Sequence, residues 1–281
     1  MPITLMYITN NPDVAVIAQR YGVDRIWIDL ETLGKEERQK GLDSVKSHHC
    51  IDDIKKVSSV LTTSQTMVRV NPVNPASGEE IERVISAGAD VVMLPMWKTP
   101  DEVREFLNFT KKRVKTVLLL ETKEAVKCVD TVLANGGFDE IHIGLNDLHL
   151  SYGLTFMFEL LSNGTVESLC KKFKAVGVPY GFGGIAKIGQ GDLPAEKILT
   201  EHYRLGSTRA ILSRSFCDAG KISNIDEIET TFKENMGKLR AYEEIVSKFT
   251  EERFAENKSE VAEIVKRITA KITEKRNANR L

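Results

Sequence analysis

The sequence predicts an α/β protein, a (β/α)8 TIM barrel with extra C-terminal helices, and three observations support this prediction. Short apolar runs rich in β-branched residues alternate with longer amphipathic stretches along the chain. Eight such runs are present, and near-continuous apolar strands separated by helices are typical of a parallel sheet buried on both faces. The length of 281 residues accommodates one barrel of roughly 250 residues.

The predicted strands follow one another at fairly regular intervals. They are the runs 3–8, 25–29, 66–70, 90–95, 115–121, 140–144, 178–184 and 209–213. Segments 100–113 and 122–133, which lie between them, place their apolar residues at helical spacing. A doubly wound open sheet is the alternative, but it needs a glycine-rich phosphate turn after an early strand, and the one glycine cluster, 181–184, comes near the seventh strand.

Two segments exceed the minimal barrel. Residues 30–64 are long for one connection and have room for two helices. We divide the chain into a barrel domain, residues 1–223, and a helical extension, residues 224–281, which carries two amphipathic patterns. Since a barrel needs one helix after its last strand, the second apolar stripe is expected to cover a neighbouring subunit in a homo-oligomer or, alternatively, the bottom of its own barrel.

Composition excludes several classes of partner. Basic residues number 39 and acidic residues 40, which argues against a nucleic-acid or membrane-surface binder. The chain has no apolar run long enough to span a membrane, and its first residues lack a signal-peptide pattern. The four cysteines form no CxxC pair, which favours free thiols in a reducing, cytoplasmic compartment. We therefore expect a cytoplasmic protein with a small-molecule partner, and neither nucleic acid nor membrane.

Barrel active sites lie at the carboxyl ends of the strands, so the polar residues there are the candidates. Those residues are Asp29, Glu31, Thr32, Arg69, Asn71, Glu121, Gly144, Asn146, Asp147, Ser213 and Arg214. Glu121 and Asp147 follow strongly apolar runs, where an uncompensated carboxylate is costly. Two carboxylates with water and substrate oxygens suit Mg2+ or Mn2+. Arg69 offers a rigid fork for a substrate carboxylate, and Gly144 permits close approach to the backbone.

Five segments in this order resemble the HpcH/HpaI aldolase and citrate lyase beta-subunit family of pyruvate/phosphoenolpyruvate-binding barrels. They are IWIDLETLGKEERQ, VRVN at 68–71, AGADVVMLPM at 87–96, LLLETKEAV at 118–126 and FDEIHIGLNDLHLSYG at 138–153. The resemblance is good over about residues 20–155 and absent from the tail.

The resemblance implies roles for several of these residues. Glu121 and Asp147 would hold a divalent metal, Mg2+ or else Mn2+ or Co2+, and Arg69 would bind the carboxylate and enolate oxygen of a pyruvate-like ligand. The backbone near Leu94, Pro95 and Met96 would receive the ligand carboxylate. The implied activity is a metal-dependent carbon–carbon lyase, aldolase-like, acting on a 2-oxo acid. Alternatives are a CoA-ester lyase of the citramalyl or malyl type and a catalytically silent barrel that serves as a binding subunit.

One departure from the family concerns the acid/base group. The pyruvate aldolases have a histidine directly after the glutamate of their D-x-E-H motif, whereas this chain has Thr32 after Asp29, Leu30 and Glu31. Threonine is no base at neutral pH, so the base must be another group, a metal-bound water or the substrate itself. Asp29, Glu31 and His49 are our catalytic candidates beside Arg69. His48 and His49 in the long 30–64 segment are the histidines we single out for that role.

Three further features are weaker candidates. His142 lies within the sixth predicted strand, where a core histidine is the plainer interpretation, and His149 follows the proposed metal loop. The glycine-rich segment 181–191 could be a flexible loop or a backbone cradle for an anionic group, which Arg214 could also bind.

Overall fold

A computed structural model describes residues 2–34 and 49–278, and in it eight parallel strands form a closed barrel. Strands β1 to β8 are Thr4–Ile8, Arg25–Asp29, Gln65–Arg69, Val91–Leu94, Lys115–Leu120, Glu140–Ile143, Tyr180–Ile185 and Arg209–Leu212. Pairing of β8 with β1 closes the barrel. The predicted fold is confirmed, and each strand begins and ends within two residues of the position expected from the sequence.

Helices connect the strands and continue beyond the last one. Helices α1 to α11 are Pro12–Arg20, Ile51–Ser58, Ser77–Ser86, Pro100–Thr110, Lys123–Asn135, Leu145–Ser151, Glu159–Ser162, Thr165–Ala175, Ala195–Leu205, Ile225–Val246 and Glu251–Ala278. Of the two helices expected in residues 30–64, α2 is one, and the remainder of that expectation falls on residues 35–48, outside the described part of the chain.

The inside of the barrel is filled by large apolar side chains from successive strands. Met6, Trp27, Met67, Met93 and Leu119 are each at most 3% exposed and form one cluster with their neighbours. The opposite faces of the strands pack against the helices in a second, larger core. This double burial explains why the strands are nearly continuous apolar runs instead of alternating ones.

A buried ion network occupies the barrel at the amino ends of the strands. Glu140 of β6 accepts two hydrogen bonds from Arg25 of β2, at 2.7 and 2.6 Å, and two from Arg209 of β8, at 3.0 and 3.2 Å. Burial opposes ionisation of Glu140, but the two arginines outweigh burial and lower its pKa to about 2. Three strands are thereby joined through the barrel interior.

Aspartates that precede alternate strands stabilise the same end of the barrel. Each accepts a hydrogen bond from a backbone N–H of the preceding strand: Leu5 to Asp24 at 2.7 Å, Thr66 to Asp90 at 2.8 Å, and Thr116 to Asp139 at 2.8 Å. These carboxylates satisfy N–H groups at the strand starts. The recurring Asp before β2, β4 and β6 therefore has a structural role at the end opposite the candidate site.

The C-terminal extension forms two helices, as expected from its pattern. Helix α10 packs on α1, while α11 packs on α7 and α9 of the same chain. Val261 and Val265 of α11 are buried, and Asn257 donates a hydrogen bond of 2.9 Å to Glu201 of α9. Residues of the second apolar stripe are therefore buried within their own chain, on α7 and α9, although our first expectation was that the stripe covers a neighbouring subunit. Assembly into a homo-oligomer stays a prediction.

None of the helices in the described residues is both long and apolar enough to cross a membrane.

We expect Glu140→Gln to lower the free energy of unfolding by about 3 kcal/mol at pH 7, because it removes a buried carboxylate whose pKa is lowered by two arginines. The stabilisation is present above the ordinary pKa of 4.5 and is lost as the pH falls toward about 2. Urea unfolding of both proteins at pH 7 and at pH 3 measures the effect.

The control for this experiment is Glu82→Gln, which breaks the exposed ion pair with Arg113 and is expected to leave the free energy of unfolding nearly unchanged. Equal losses in the two variants, or a Glu140→Gln loss that does not shrink in acid, would contradict the role given to the buried network.

Candidate active site

The carboxyl ends of β2, β3, β5 and β6 bring the predicted site residues to one mouth of the barrel. Asp29 and Arg69 are the last residues of β2 and β3, and they are direct neighbours in the strand register. Glu121 follows β5, and Asp147 lies in the first turn of α6, which begins directly after Gly144 at the end of β6. The structure thus has these residues at the carboxyl ends of the strands, where the sequence predicted them, and their roles stay predictions.

Arg69 is held in one orientation by two carboxylates and an aromatic ring. Its Nε and Nη2 each donate a hydrogen bond of 2.9 Å to the two oxygens of Asp29, and its Nη1 lies 3.3 Å from Glu31 Oε2. The guanidinium carbon sits 5.0 Å above the ring of Trp27. Burial works against the charge, but Asp29 and Glu31 outweigh it and raise the pKa of Arg69. The fork expected to grip a substrate carboxylate thus binds Asp29 of its own chain in this structure.

Glu121 is the most strongly perturbed carboxylate of the site. It is 2% exposed, and its pKa is raised well above 4.5 by burial and then by the charge of Asp147, against the opposing effect of Arg69. Two carboxylates that repel each other in a partly buried site are stabilised when a bound cation or a proton compensates their negative charge.

The backbone of the β4 loop binds Glu121 directly. The Met96 N–H donates a hydrogen bond of 3.1 Å to Glu121 Oε1. Met96 has a φ of 52°, in the left-handed region that residues other than glycine rarely adopt. The resemblance assigned the N–H groups near Leu94, Pro95 and Met96 to a ligand carboxylate, whereas here the Met96 N–H is occupied by Glu121.

Gly144 leaves space that Glu121 uses. A Cβ at this position would lie 2.7 Å from Glu121 Oε2 and 2.9 Å from Glu121 Cβ, distances that real Cβ atoms essentially never show. Any other residue would therefore displace the carboxylate. The glycine at this strand end leaves room for the Glu121 side chain. This explains the glycine more specifically than the close approach of substrate that the sequence suggested.

Neighbouring side chains fix the loops that carry the site. Thr122 caps α5 and donates a hydrogen bond of 2.8 Å to the carbonyl of Trp97, which links the β5 and β4 loops beside Glu121. Asn71 Oδ1 accepts hydrogen bonds from the N–H groups of Thr32, at 2.9 Å, and Leu33, at 3.0 Å, and so links the β3 and β2 loops. Sequence reasoning noticed Asn71 but not this linking role.

The donor set fits a hard divalent cation held by few protein ligands. Within residues 2–34 and 49–278, no group of three His, Cys, Asp or Glu side chains is arranged to hold a metal. Mg2+ often binds through one or two carboxylates plus water and substrate oxygens, which is the set that Glu121 and Asp147 offer. Asp29 and Glu31 lie at the same mouth, where both contact Arg69.

His49 contacts the site through the backbone. The N–H of Asp29 donates a hydrogen bond of 3.0 Å to His49 Nδ1. Since a backbone amide is always a donor, Nδ1 is unprotonated and its lone pair is engaged. This geometry gives His49 a structural contact beneath Asp29 and does not provide the free base that the sequence analysis sought. His48 lies outside the described residues.

The weaker candidates have packing roles in the described structure. His142 is buried inside the barrel, where burial lowers its pKa to about 4, and His149 Nδ1 lies 3.2 Å from the carbonyl oxygen of Leu145 in its own helix. The first residues of the glycine-rich segment belong to β7, and a Cβ at Gly181 would lie 2.2 Å from the carbonyl oxygen of Arg209 and 2.7 Å from His142 Nδ1. Gly181 therefore allows close approach of β8 and of the His142 ring. Arg214 is exposed on the loop after β8.

A family model described as HpcH/HpaI aldolase/citrate lyase matches residues 3–159, more than half of the chain. The chain belongs to the HpcH/HpaI aldolase/citrate lyase family. The match spans β1 to β6 and includes every acidic residue and the arginine of the candidate site. No curated protein sequence matches the chain.

Solved structures of HpcH/HpaI proteins share the fold. An HpcH/HpaI aldolase from Desulfitobacterium hafniense DCB-2 has a TM-score of 0.58 at 16% identity, covering 75% of this chain and 86% of its own. An HpcH/HpaI aldolase/citrate lyase family protein from Burkholderia cenocepacia J2315 has a TM-score of 0.60 at 17% identity, covering 81% and 94%. Citrate synthase SbnG has a TM-score of 0.56 at 16% identity, covering 75% and 85%. At these identities the likeness establishes the barrel alone.

We expect Gly144→Ala to destabilise the protein by about 1–3 kcal/mol, because the new methyl group overlaps the Glu121 side chain. Gly184→Ala is the matched control, since a Cβ there meets no atom closer than 3.6 Å. Urea unfolding curves of the two variants decide the matter. If Gly144→Ala is as stable as Gly184→Ala, Glu121 is not held where the structure places it.

Proposed function

We propose that this HpcH/HpaI family member is a divalent-metal-dependent carbon–carbon lyase, aldolase-like, that forms or breaks a bond next to the carbonyl of a 2-oxo acid such as pyruvate. The observation that supports this proposal is the buried cluster at the barrel mouth, where Glu121 and Asp147 repel each other close to a fixed arginine. That cluster combines a cation site with a preformed positive group, which is what a reaction through an enolate requires.

Glu121 and Asp147 are the residues that would hold Mg2+, or Mn2+ or Co2+ in its place. A bound divalent cation would supply Lewis-acid polarisation of the substrate carbonyl. The Met96 N–H binds one oxygen of Glu121 and the space above Gly144 receives the other, so this carboxylate is oriented before any ligand arrives.

Arg69 would stabilise the negative charge that develops on the substrate oxygen. Its guanidinium is already charged and oriented, since Asp29 engages two of its nitrogens and Glu31 lies beside the third. A group that need not reorient during the reaction stabilises developing charge most effectively. In this scheme Asp29 is a positioning residue and Arg69 a catalytic one.

Proton transfer needs a group other than Thr32. Of the groups considered from the sequence, His49 has its Nδ1 engaged by the Asp29 N–H, whereas the carboxylate of Glu31 lies at the mouth beside Arg69. We assign proton transfer to Glu31, in keeping with the polar contact it makes next to the substrate-facing arginine.

Composition and the structure also support proposals for the partner, the assembly and the compartment of the protein. A small carboxylate is the proposed partner, with neither nucleic acid nor membrane, because the chain has a net charge of −1 and no basic excess. We also propose a homo-oligomer in the cytoplasm, on the strength of the long C-terminal helices and the four unpaired cysteines.

Metal-dependent thermal stabilisation tests the proposal. Mn2+ should raise the melting temperature of the wild type, and pyruvate or oxalate should raise it further in the presence of Mn2+; ligand at 100 times its Kd contributes about 2.7 kcal/mol. Glu121→Gln should fold but lose both shifts and the metal-dependent cleavage of 2-oxo acid substrates, because an amide is a weak ligand for a hard cation.

Glu124→Gln, three residues further along in the first turn of α5, is the control and should keep both shifts. The proposal fails if the wild type is not stabilised by any of Mg2+, Mn2+ and Co2+. It also fails if Glu121→Gln responds as the wild type does; a catalytically silent barrel would show neither shift in the wild type.

A further inference from the structure

A second cavity lies next to the candidate site on the same rim of the barrel. It has a volume of about 360 Å3 and is formed by the loops that follow β2, β3 and β4. Its apolar lining consists of Leu33, Pro72, Val73, Met96 and Trp97. A cavity of about 150 Å3 accommodates benzene, so this one has room for roughly twice that many carbon atoms.

Met96 joins this cavity to the candidate site. It lines the cavity, and its N–H is bound to Glu121 Oε1 at 3.1 Å. The opposite wall is fixed as well, because Leu33 N–H donates to Asn71, which donates in turn to Glu80 of α3 at 2.8 Å. Met96 therefore borders both the cavity and Glu121.

The charges at the cavity are engaged in capping or lie toward solvent. Glu102 accepts hydrogen bonds from the N–H groups of Lys98 and Thr99 and closes the first turn of α4. The Lys98 side chain is exposed. At the mouth, Leu33 is 49% exposed, which is high for a large apolar side chain. An apolar substrate group in the cavity would cover Leu33, and the apolar surfaces of the group and of Leu33 would both be removed from water.

We propose that this cavity, the β2–β4 cavity, binds an apolar chain of the substrate that extends from carbon 3 of a 2-oxo acid. The inference rests on the proposed function and narrows its substrate class from 2-oxo acids in general to those with an apolar chain several carbons long. Met96 then contributes to both the candidate site and the β2–β4 cavity. Its backbone N–H holds Glu121, and the residue forms part of the cavity wall that contacts the chain.

Binding of straight-chain 2-oxo acids tests the inference without turnover. Calorimetric titrations in Mn2+ would compare pyruvate, 2-oxobutyrate, 2-oxohexanoate and 2-oxooctanoate. Each buried methylene should tighten binding by about threefold to fourfold until the cavity is filled. Val73→Phe, which fills the cavity, should bind pyruvate as the wild type does and lose at least tenfold in affinity for 2-oxooctanoate.

Two variants accompany the test. Ile51→Phe is the matched control, since Ile51 lines a separate cavity of about 660 Å3 between α2 and α3, and it should keep the full dependence on chain length. Leu33→Ala removes a side chain that is already half-exposed, so the variant should fold as the wild type does. This variant should weaken binding of the long acids only.

The outcomes separate the subsite from the proposed function. If pyruvate binds but longer acids bind no better, the β2–β4 cavity is not the chain subsite, and the lyase proposal stands. The same conclusion follows if Val73→Phe and Leu33→Ala both keep the wild-type chain-length dependence. If pyruvate itself does not bind in Mn2+, the proposed function is overturned and the subsite with it.

Discussion

The candidate site depends on one interaction, the bidentate ion pair between Arg69 and Asp29. These residues are neighbours in the register of β2 and β3, so the barrel itself determines their separation. The pair is almost completely buried, with 11% of the Arg69 side chain and 2% of the Asp29 side chain exposed. A buried pair is costly to form and costlier to break, because either partner alone would be an uncompensated charge. Arg69 is consequently both charged and immobile.

Three further acids of the candidate site lie at the same mouth. Glu31 shares Arg69 with Asp29, Glu121 follows β5, and Asp147 lies in α6. Burial and the charge of Asp147 raise the pKa of Glu121, which means that the site is poised to take up a proton or a cation. At the opposite end of the barrel, Arg25 and Arg209 compensate the negative charge of the buried Glu140. The two ends of the barrel therefore differ: the amino ends of the strands carry a carboxylate whose pKa is lowered by two arginines, and the carboxyl ends carry one whose pKa is raised.

Much of this arrangement is predictable from sequence, because it follows from local pattern. Apolar runs locate the strands, and polar residues that end such runs locate the mouth, so Glu121 and Asp147 could be selected from the sequence. The contacts that orient the site residues could not be predicted from the sequence. The Met96 N–H reaches Glu121 across 25 positions, and Asp29 meets His49 across a connection whose length gives no hint of the contact. The sequence left open whether the glycine-rich segment from Gly181 is a flexible loop or a backbone cradle, because the atoms that require glycine at 181 belong to Arg209 and His142 on other strands.

The central claim is that Glu121 and Asp147 jointly bind one divalent cation. Anomalous diffraction from crystals soaked in Mn2+ tests it most directly, because it locates the metal without reference to activity. The account predicts one strong peak per chain at the barrel mouth, with an oxygen of each carboxylate about 2.0–2.6 Å away. A mouth without a peak at saturating Mn2+, or a peak bound by other side chains, would contradict it.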